Sequence, residues 1–188
     1  MKYVKISVIF GSHRFGGTNH EIEKILKKYS DIHEFDFIHL ANNKIEGCID
    51  CHECGKFGQC ILPPSKNDHF QEVYEKMIVA DAVFIITPVY AVIPSRLTAL
   101  FERMTSVLYY TGVMNTDNNP LLNKKVAIFN YCYNKICDDK EIKLIFDKFV
   151  MKNYRFDRST YKYMNKCENP NEKYSNIIEY IQDTIINL

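Results

Sequence analysis

The sequence predicts an α/β fold in which one parallel sheet is covered on both faces by helices. Three observations carry that expectation. Short runs rich in β-branched and aromatic residues recur along the chain, stretches with apolar residues at helical spacing separate them, and the run AVFIIT (82–87) is apolar almost throughout, as in a strand buried on both faces. At 188 residues the chain is the usual size of one domain with a real core, and no repeat, low-complexity tract or linker divides it, so 1–188 reads as a single domain.

Taken in order, KISVIF reads as the first strand, with Ile6, Val8, Ile9 and Phe10 suited to a sheet interior and Gly11 breaking the run where a tight turn is needed. Ile22, Ile25 and Leu26 predict a helix over 21–29, and EFDFIHL (34–40) a second strand. A long polar, cysteine-bearing stretch over 42–65 follows, too long for a plain connection. Phe70, Val73, Tyr74 and Met77 share one face of a helix predicted over 68–80, which leads into the third strand. Pro88, Val89 and Tyr90 end that strand, and Pro94 opens a helix running to about Tyr110. MNTDNNPLL (114–122) is a turn-rich loop and KVAIFNY (125–131) a fourth strand. A helix over 139–150, a fifth strand over 155–163 and a closing helix over 171–186 complete the expected order.

The formal charge is +1 with lysines scattered, so nothing points to nucleic acid or an anionic membrane surface as partner. No apolar stretch reaches the length of a membrane span, and the opening residues read as a strand, so a cytoplasmic protein is expected. Seven cysteines, an odd number crowded toward one segment, suit a reducing compartment with metal or redox thiols better than a disulfide framework.

Two constellations carry chemistry. The first is GSHRFGGTN (11–19) at the end of the first strand. Ser12, Thr18 and Asn19 offer hydroxyl and amide groups and Arg14 a guanidinium fork, while Gly16 and Gly17 let backbone N–H groups approach a ligand; the loop delivers a helix N-terminus, where a phosphate would fit. The alternative is an ordinary strand-to-helix turn capped by Thr18 or Asn19. In a parallel sheet ligands bind outside the carboxyl ends of the strands. TPVYAVIPS (87–95) therefore falls beside this loop, where Pro88, Val89, Tyr90 and Ala91 could dock a flat ring or simply close the strand.

The second constellation is Cys48, Cys51, Cys54 and Cys60, spaced C-x2-C-x2-C-x5-C, with Gly55 and Gly58 letting the chain curl back so that four sulfurs converge. Three cysteines at successive x2 spacing resemble the row that wraps a [4Fe–4S] cube in ferredoxins. A four-thiolate zinc site and a set of empty or partly oxidised thiols are the competing readings. His52 lies within the segment and either tunes it or is solvated. Cys132, Cys137 and Cys167 lie apart, as packing or surface thiols.

With these residues in hand the chain resembles the flavodoxin-like NAD(P)H-dependent FMN reductase family. The resemblance runs over about residues 3 to 105: the GSHRFGGTN loop, the cysteine-rich segment, then ADAVFIITPVYAVIPSRLTALFERM. Within the family it is most similar to the iron-sulfur flavoprotein branch. The resemblance implies a three-layer flavodoxin-like sandwich with a five-stranded parallel sheet in order 2-1-3-4-5 and a cysteine-rich insertion, 47–61, after strand 2. It implies FMN, with Ser12, Arg14, Gly17, Thr18 and Asn19 at the phosphate and Pro88, Val89, Tyr90 and Ala91 at the isoalloxazine. It also implies a [4Fe–4S] cluster on Cys48, Cys51, Cys54 and Cys60.

This chain departs from the family pattern at His13, where proline is usual, in the swapped order of Thr18 and Asn19, at Asn67–Asp68–His69, and at Asn130–Tyr131–Cys132. Glu102 and Arg103 match an acid–arginine pair of the family and are expected to be structural. The expected function is an FMN and [4Fe–4S] oxidoreductase relaying electrons to a ferredoxin-like carrier or small-molecule oxidant, with no side chain acting as nucleophile or general acid. A flavin-only NAD(P)H reductase of FMN, quinones or nitro compounds is the second expectation, and a zinc-stabilised, non-enzymatic module the third. A homo-oligomer, dimer or tetramer, is expected, with the segment 108–114 a candidate contact.

Overall fold

Ile6, Val8, Ile9 and Phe10 are fully or almost fully buried in β1 (Lys5–Phe10), as their residue types require. The computed structural model describes residues 3–62, 68–89, 92–131, 139–148, 154–157 and 162–166. The strand β1 pairs in parallel with β2 (Glu34–His39) on one side and β3 (Ala82–Pro88) on the other. Beyond β3 come β4 (Lys125–Tyr131) and β5 (Lys162–Lys166), also parallel, so the order is β2-β1-β3-β4-β5.

Side chains alternate across this sheet and build two cores. On one face Val8, Phe10, Phe84, Ile86 and Phe129 pack with Ile22 and Leu26 of α1 (Thr18–Lys27). On the other, Ile9, Ile85 and Ile128 meet three helices: α3 (Phe70–Val79), α4 (Ser95–Tyr110) and α5 (Asp139–Phe146). Each large aliphatic or aromatic side chain so buried contributes about 1.5–3 kcal/mol relative to exposure. One further helical turn, α2 (Cys54–Phe57), lies in the cysteine segment.

Four features depart from the sequence reading or fall outside the described residues. The first helix begins at Thr18 instead of Glu21, because Gly17 takes φ 58° and ψ −134° and its carbonyl accepts from Glu21 N (3.2 Å), drawing Thr18 and Asn19 into the first turn. The last strand occupies Lys162–Lys166, not 155–163. Arg155 has φ +54°, which breaks an extended run, and residues 154–157 instead bond the loop before β4 through Asn123 N to Arg155 O (3.0 Å) and Asp157 N to Lys124 O (2.9 Å). The helix expected over 171–186, together with Cys132, Cys137 and Cys167, lies outside the described residues.

The carboxyl ends of the strands meet at one edge. Gly11 N donates to Ile86 O (2.8 Å), Leu40 N to Phe10 O (3.0 Å) and Val89 N to Tyr131 O (2.9 Å). The segment leaving β2 is then pinned to the start of α4, since Arg96 donates to the carbonyls of Leu40 and Ala41. From there the chain runs along α4 toward its far end, carrying the cysteines.

Candidate functional site

The loop after β1 is shaped by backbone as much as by side chains. Gly16 and Gly17 have φ of +108° and +58°, and a Cβ built on either would meet nothing within 4 Å. Their conformation, not crowding, calls for glycine, and they leave open space over the start of α1. No side chain caps that helix, so its first N–H groups and its dipole face the same space. The Ser12 hydroxyl is buried and accepts from Arg14 N (3.0 Å), closing the turn, while Arg14 itself is exposed. Thr18 and Asn19 are buried at the first turn, and Asn19 Oδ1 accepts from the Tyr131 hydroxyl (3.0 Å), which ties α1 to the end of β4. His13 Nε2 lies 3.3 Å from Ser95 Oγ, so the loop also touches the start of α4. Burial, and secondarily the Arg96 charge, lowers the pKa of His13.

Pro88 and Val89 are buried beside this loop at the end of β3. Because the Val89 N–H is already taken by Tyr131 O, that N–H is not free for a ligand. Tyr90 and Ala91 lie outside the described residues.

Cys48, Cys51, Cys54 and Cys60 line one small pocket together with Arg103, Ser106, Val107 and Tyr110 of α4. The chain reaches that arrangement by unusual means. Asp50 and His52, on either side of Cys51, both take positive φ (53° and 59°), residue types that tolerate it better than most. Gly58 ends α2 in the left-handed conformation (φ +73°). Gly55 is favoured for a different reason, since a Cβ there would stand 3.2 Å from Tyr110 O, a tight contact between α2 and the end of α4.

Donors face two of the sulfurs. Asp50 N (3.4 Å) and Ser106 Oγ (3.5 Å) point at Cys48 Sγ, and Arg103 Nη2 (3.1 Å) at Cys60 Sγ. Glu102 accepts from Cys48 N (3.2 Å). His52 is stacked on Tyr110 (centroids 4.5 Å apart) and bonded to Asp50 (2.9 Å). Burial, followed by the neighbouring cysteines, pushes the Cys54 thiol up. Among the described residues no three His, Cys, Asp or Glu side chains are gathered as a formed metal site. In kind, however, the donor set fits a sulfur-ligated centre: four thiols bound one pocket, and N–H and O–H groups already point at sulfur.

All four cysteines named from the sequence line one pocket; of its α4 side the sequence reading named only Arg103, as a structural residue. Arg103, Ser106, Val107 and Tyr110 are spaced i, i+3, i+4, i+7 on α4, and that shared face was the available signal.

Comparison with known proteins follows this geometry. The NADPH-dependent FMN reductase family profile matches residues 4–136. The chain is similar to the iron-sulfur flavoprotein of Methanosarcina thermophila, 32% identical over 53% of this chain and 52% of that protein. It is likewise similar to an iron-sulfur flavoprotein of Methanocaldococcus jannaschii, 32% identical over 56% of this chain and 52% of that one. The chain thus aligns with about half the length of these curated relatives. In fold it is similar to an NAD(P)H:quinone oxidoreductase from Methanothermobacter marburgensis, with a TM-score of 0.65, 11% identity and 97% of each chain covered. Among the described residues no helix is long and apolar enough to cross a membrane.

Proposed function

From a chain that belongs to the NADPH-dependent FMN reductase family, we propose an FMN-dependent oxidoreductase of the iron-sulfur flavoprotein type. The observation that carries the reading is the glycine cradle at Gly16 and Gly17, opening onto an uncapped helix N-terminus at the carboxyl edge of the sheet. A phosphate monoester placed there meets backbone N–H groups of the first turn of α1, the Ser12 hydroxyl and, on the exposed side, Arg14. Thr18 and Asn19, buried in the first turn, fix the start of the helix, Asn19 through the Tyr131 hydroxyl. Pro88 and Val89 at the end of β3, held to β4 through the Val89 N–H, would face the flat ring, and Tyr90 and Ala91, which lie outside the described residues, remain candidates from the sequence alone.

The second cofactor is a [4Fe–4S] cluster on Cys48, Cys51, Cys54 and Cys60, supported by the shared pocket, the donors directed at sulfur and the names of the relatives. When bound, the flavin supplies exchange between two-electron and one-electron carriers, and the cluster supplies one-electron storage. The chain's own part is to bind, orient and shield; no side chain is assigned a nucleophilic or general-acid role. The electron partner in this reading is a ferredoxin-like carrier or small oxidant, in a cytoplasmic homo-oligomer.

One observation favours a second reading, a flavin-only NAD(P)H reductase: no three of the cysteine, histidine or acidic groups stand as a formed metal site among the described residues. Anaerobic purification with iron, acid-labile sulfide and FMN each quantified separates the two. The cluster reading expects about four irons per chain, the number in the cluster itself, with slow turnover by NADH or NADPH. Bound FMN without iron and with rapid NAD(P)H oxidation establishes the second reading. Colourless protein that does not take up FMN overturns both.

A further inference from the structure

Arg103 is the least expected residue in the sulfur pocket. Its side chain is 2% exposed and that of Asp68 3%. Nη1 donates to Asp68 Oδ2 (2.5 Å) and to Glu46 O (3.4 Å), Nη2 donates to Cys60 Sγ (3.1 Å), and the guanidinium lies 4.2 Å over the Phe70 ring. A buried arginine that served only to neutralise a carboxylate would turn both arms of its fork to it. Here one arm goes to Asp68 and the other to sulfur, while Nε is buried without a hydrogen-bond partner. Asp68 and Phe70 flank the start of α3, so they set the angle of the guanidinium from an element separate from the cysteines.

We propose that Arg103 is a positioning residue for the sulfur site: steered by Asp68 and Phe70, it holds Cys60 and raises the reduction potential of the centre that the four cysteines take up. The inference rests on the cluster reading given above. An N–H donor and a nearby cation both stabilise the more negative, reduced form of a sulfur-ligated centre, so removing them lowers its potential. Asp68 acts with the opposite sign, because its carboxylate offsets the arginine charge.

The test is an anaerobic potentiometric titration of the iron-loaded protein, followed by electron paramagnetic resonance. Replacing Arg103 alone strands the buried Asp68 carboxylate and invites misfolding, so the informative variant is the pair R103M with D68N, accompanied by R103K and by D68N alone. At a fixed potential, R103M/D68N, which removes both charges together, is expected to lower the ratio of reduced to oxidised centre about threefold or more through loss of the N–H donor to Cys60. D68N alone is expected to shift the ratio the other way. R103K keeps the charge but cannot span both partners, and is expected between wild type and the pair. Ratios within twofold of wild type in every variant would make Arg103 a structural ion pair and overturn the proposal. A wild-type protein that takes up no iron or sulfide overturns the cluster reading itself, and this inference with it.

Discussion

Gly11 stands where β1 leaves the sheet, and a Cβ there would lie 2.7 Å from Thr87 Oγ1 and 3.0 Å from Leu97 Cδ2. Neither neighbour can yield easily, since both are buried. Gly11→Ala is therefore expected to destabilise by about 1–3 kcal/mol through overpacking, read as a lower urea midpoint. An unchanged midpoint would mean that the strand end is looser than its packing implies. His33 is a different kind of single-residue liability: it is 1% exposed, both ring nitrogens lack partners, and burial lowers its pKa. In the unfolded chain it titrates near 6.5. Below that value the unfolded state binds the proton that the folded state refuses, so this contribution to stability falls as pH drops from 6.5 toward the lowered folded value. His33→Leu is expected to narrow the difference in urea midpoint between pH 7 and pH 5.5. A difference equal to that of wild type would remove His33 as its source.

At the scale of elements, the loop after β1 and the helix it feeds make one unit. Gly17→Ala adds a methyl group to open space, so any effect must come through the backbone, where φ +58° with ψ −134° strains an L-residue by about 1–3 kcal/mol. FMN affinity, followed by quenching of flavin fluorescence, is expected to weaken tenfold or more while the circular dichroism spectrum stays the same. Affinity within twofold of wild type would show that something other than this loop conformation grips the phosphate. The strands β1, β3 and β4 were legible because a strand buried on both faces leaves little choice of residue type. The last strand was not. Tyr154, Phe156 and the residues after them alternate as a strand would, yet Tyr154 is buried because its hydroxyl donates to Phe101 O (2.6 Å) and meets Thr105 Oγ1 (3.0 Å) on α4. Its burial serves helix packing, which periodicity cannot distinguish from a sheet face.

Across the whole molecule, α4 joins the two sites. Ser95 at its start meets His13 of the phosphate loop, and Ser106 lines the sulfur pocket, eleven residues further along. At 1.5 Å per residue that is about 16 Å along the axis. That the four cysteines share one pocket was legible from their close spacing; what they hold was not, since the same spacing suits a cluster, zinc or free thiols. The place of Arg103 beside sulfur was not legible, because Asp68 and Phe70, which cover it, lie on a separate stretch of chain that spacing along α4 cannot relate to it. Separation along one rigid helix implies that each site can be emptied without disturbing the other. Cys51 is the position at which to test this, since it is exposed and its replacement leaves the core intact. Cys51→Ser is expected to lower iron per chain to less than half of wild type while FMN affinity stays within twofold. Gly17→Ala is expected to do the reverse, weakening FMN and sparing iron. Loss of both cofactors in either variant would mean that α4 transmits the state of one site to the other, and the two would have to be treated as a single cooperative unit.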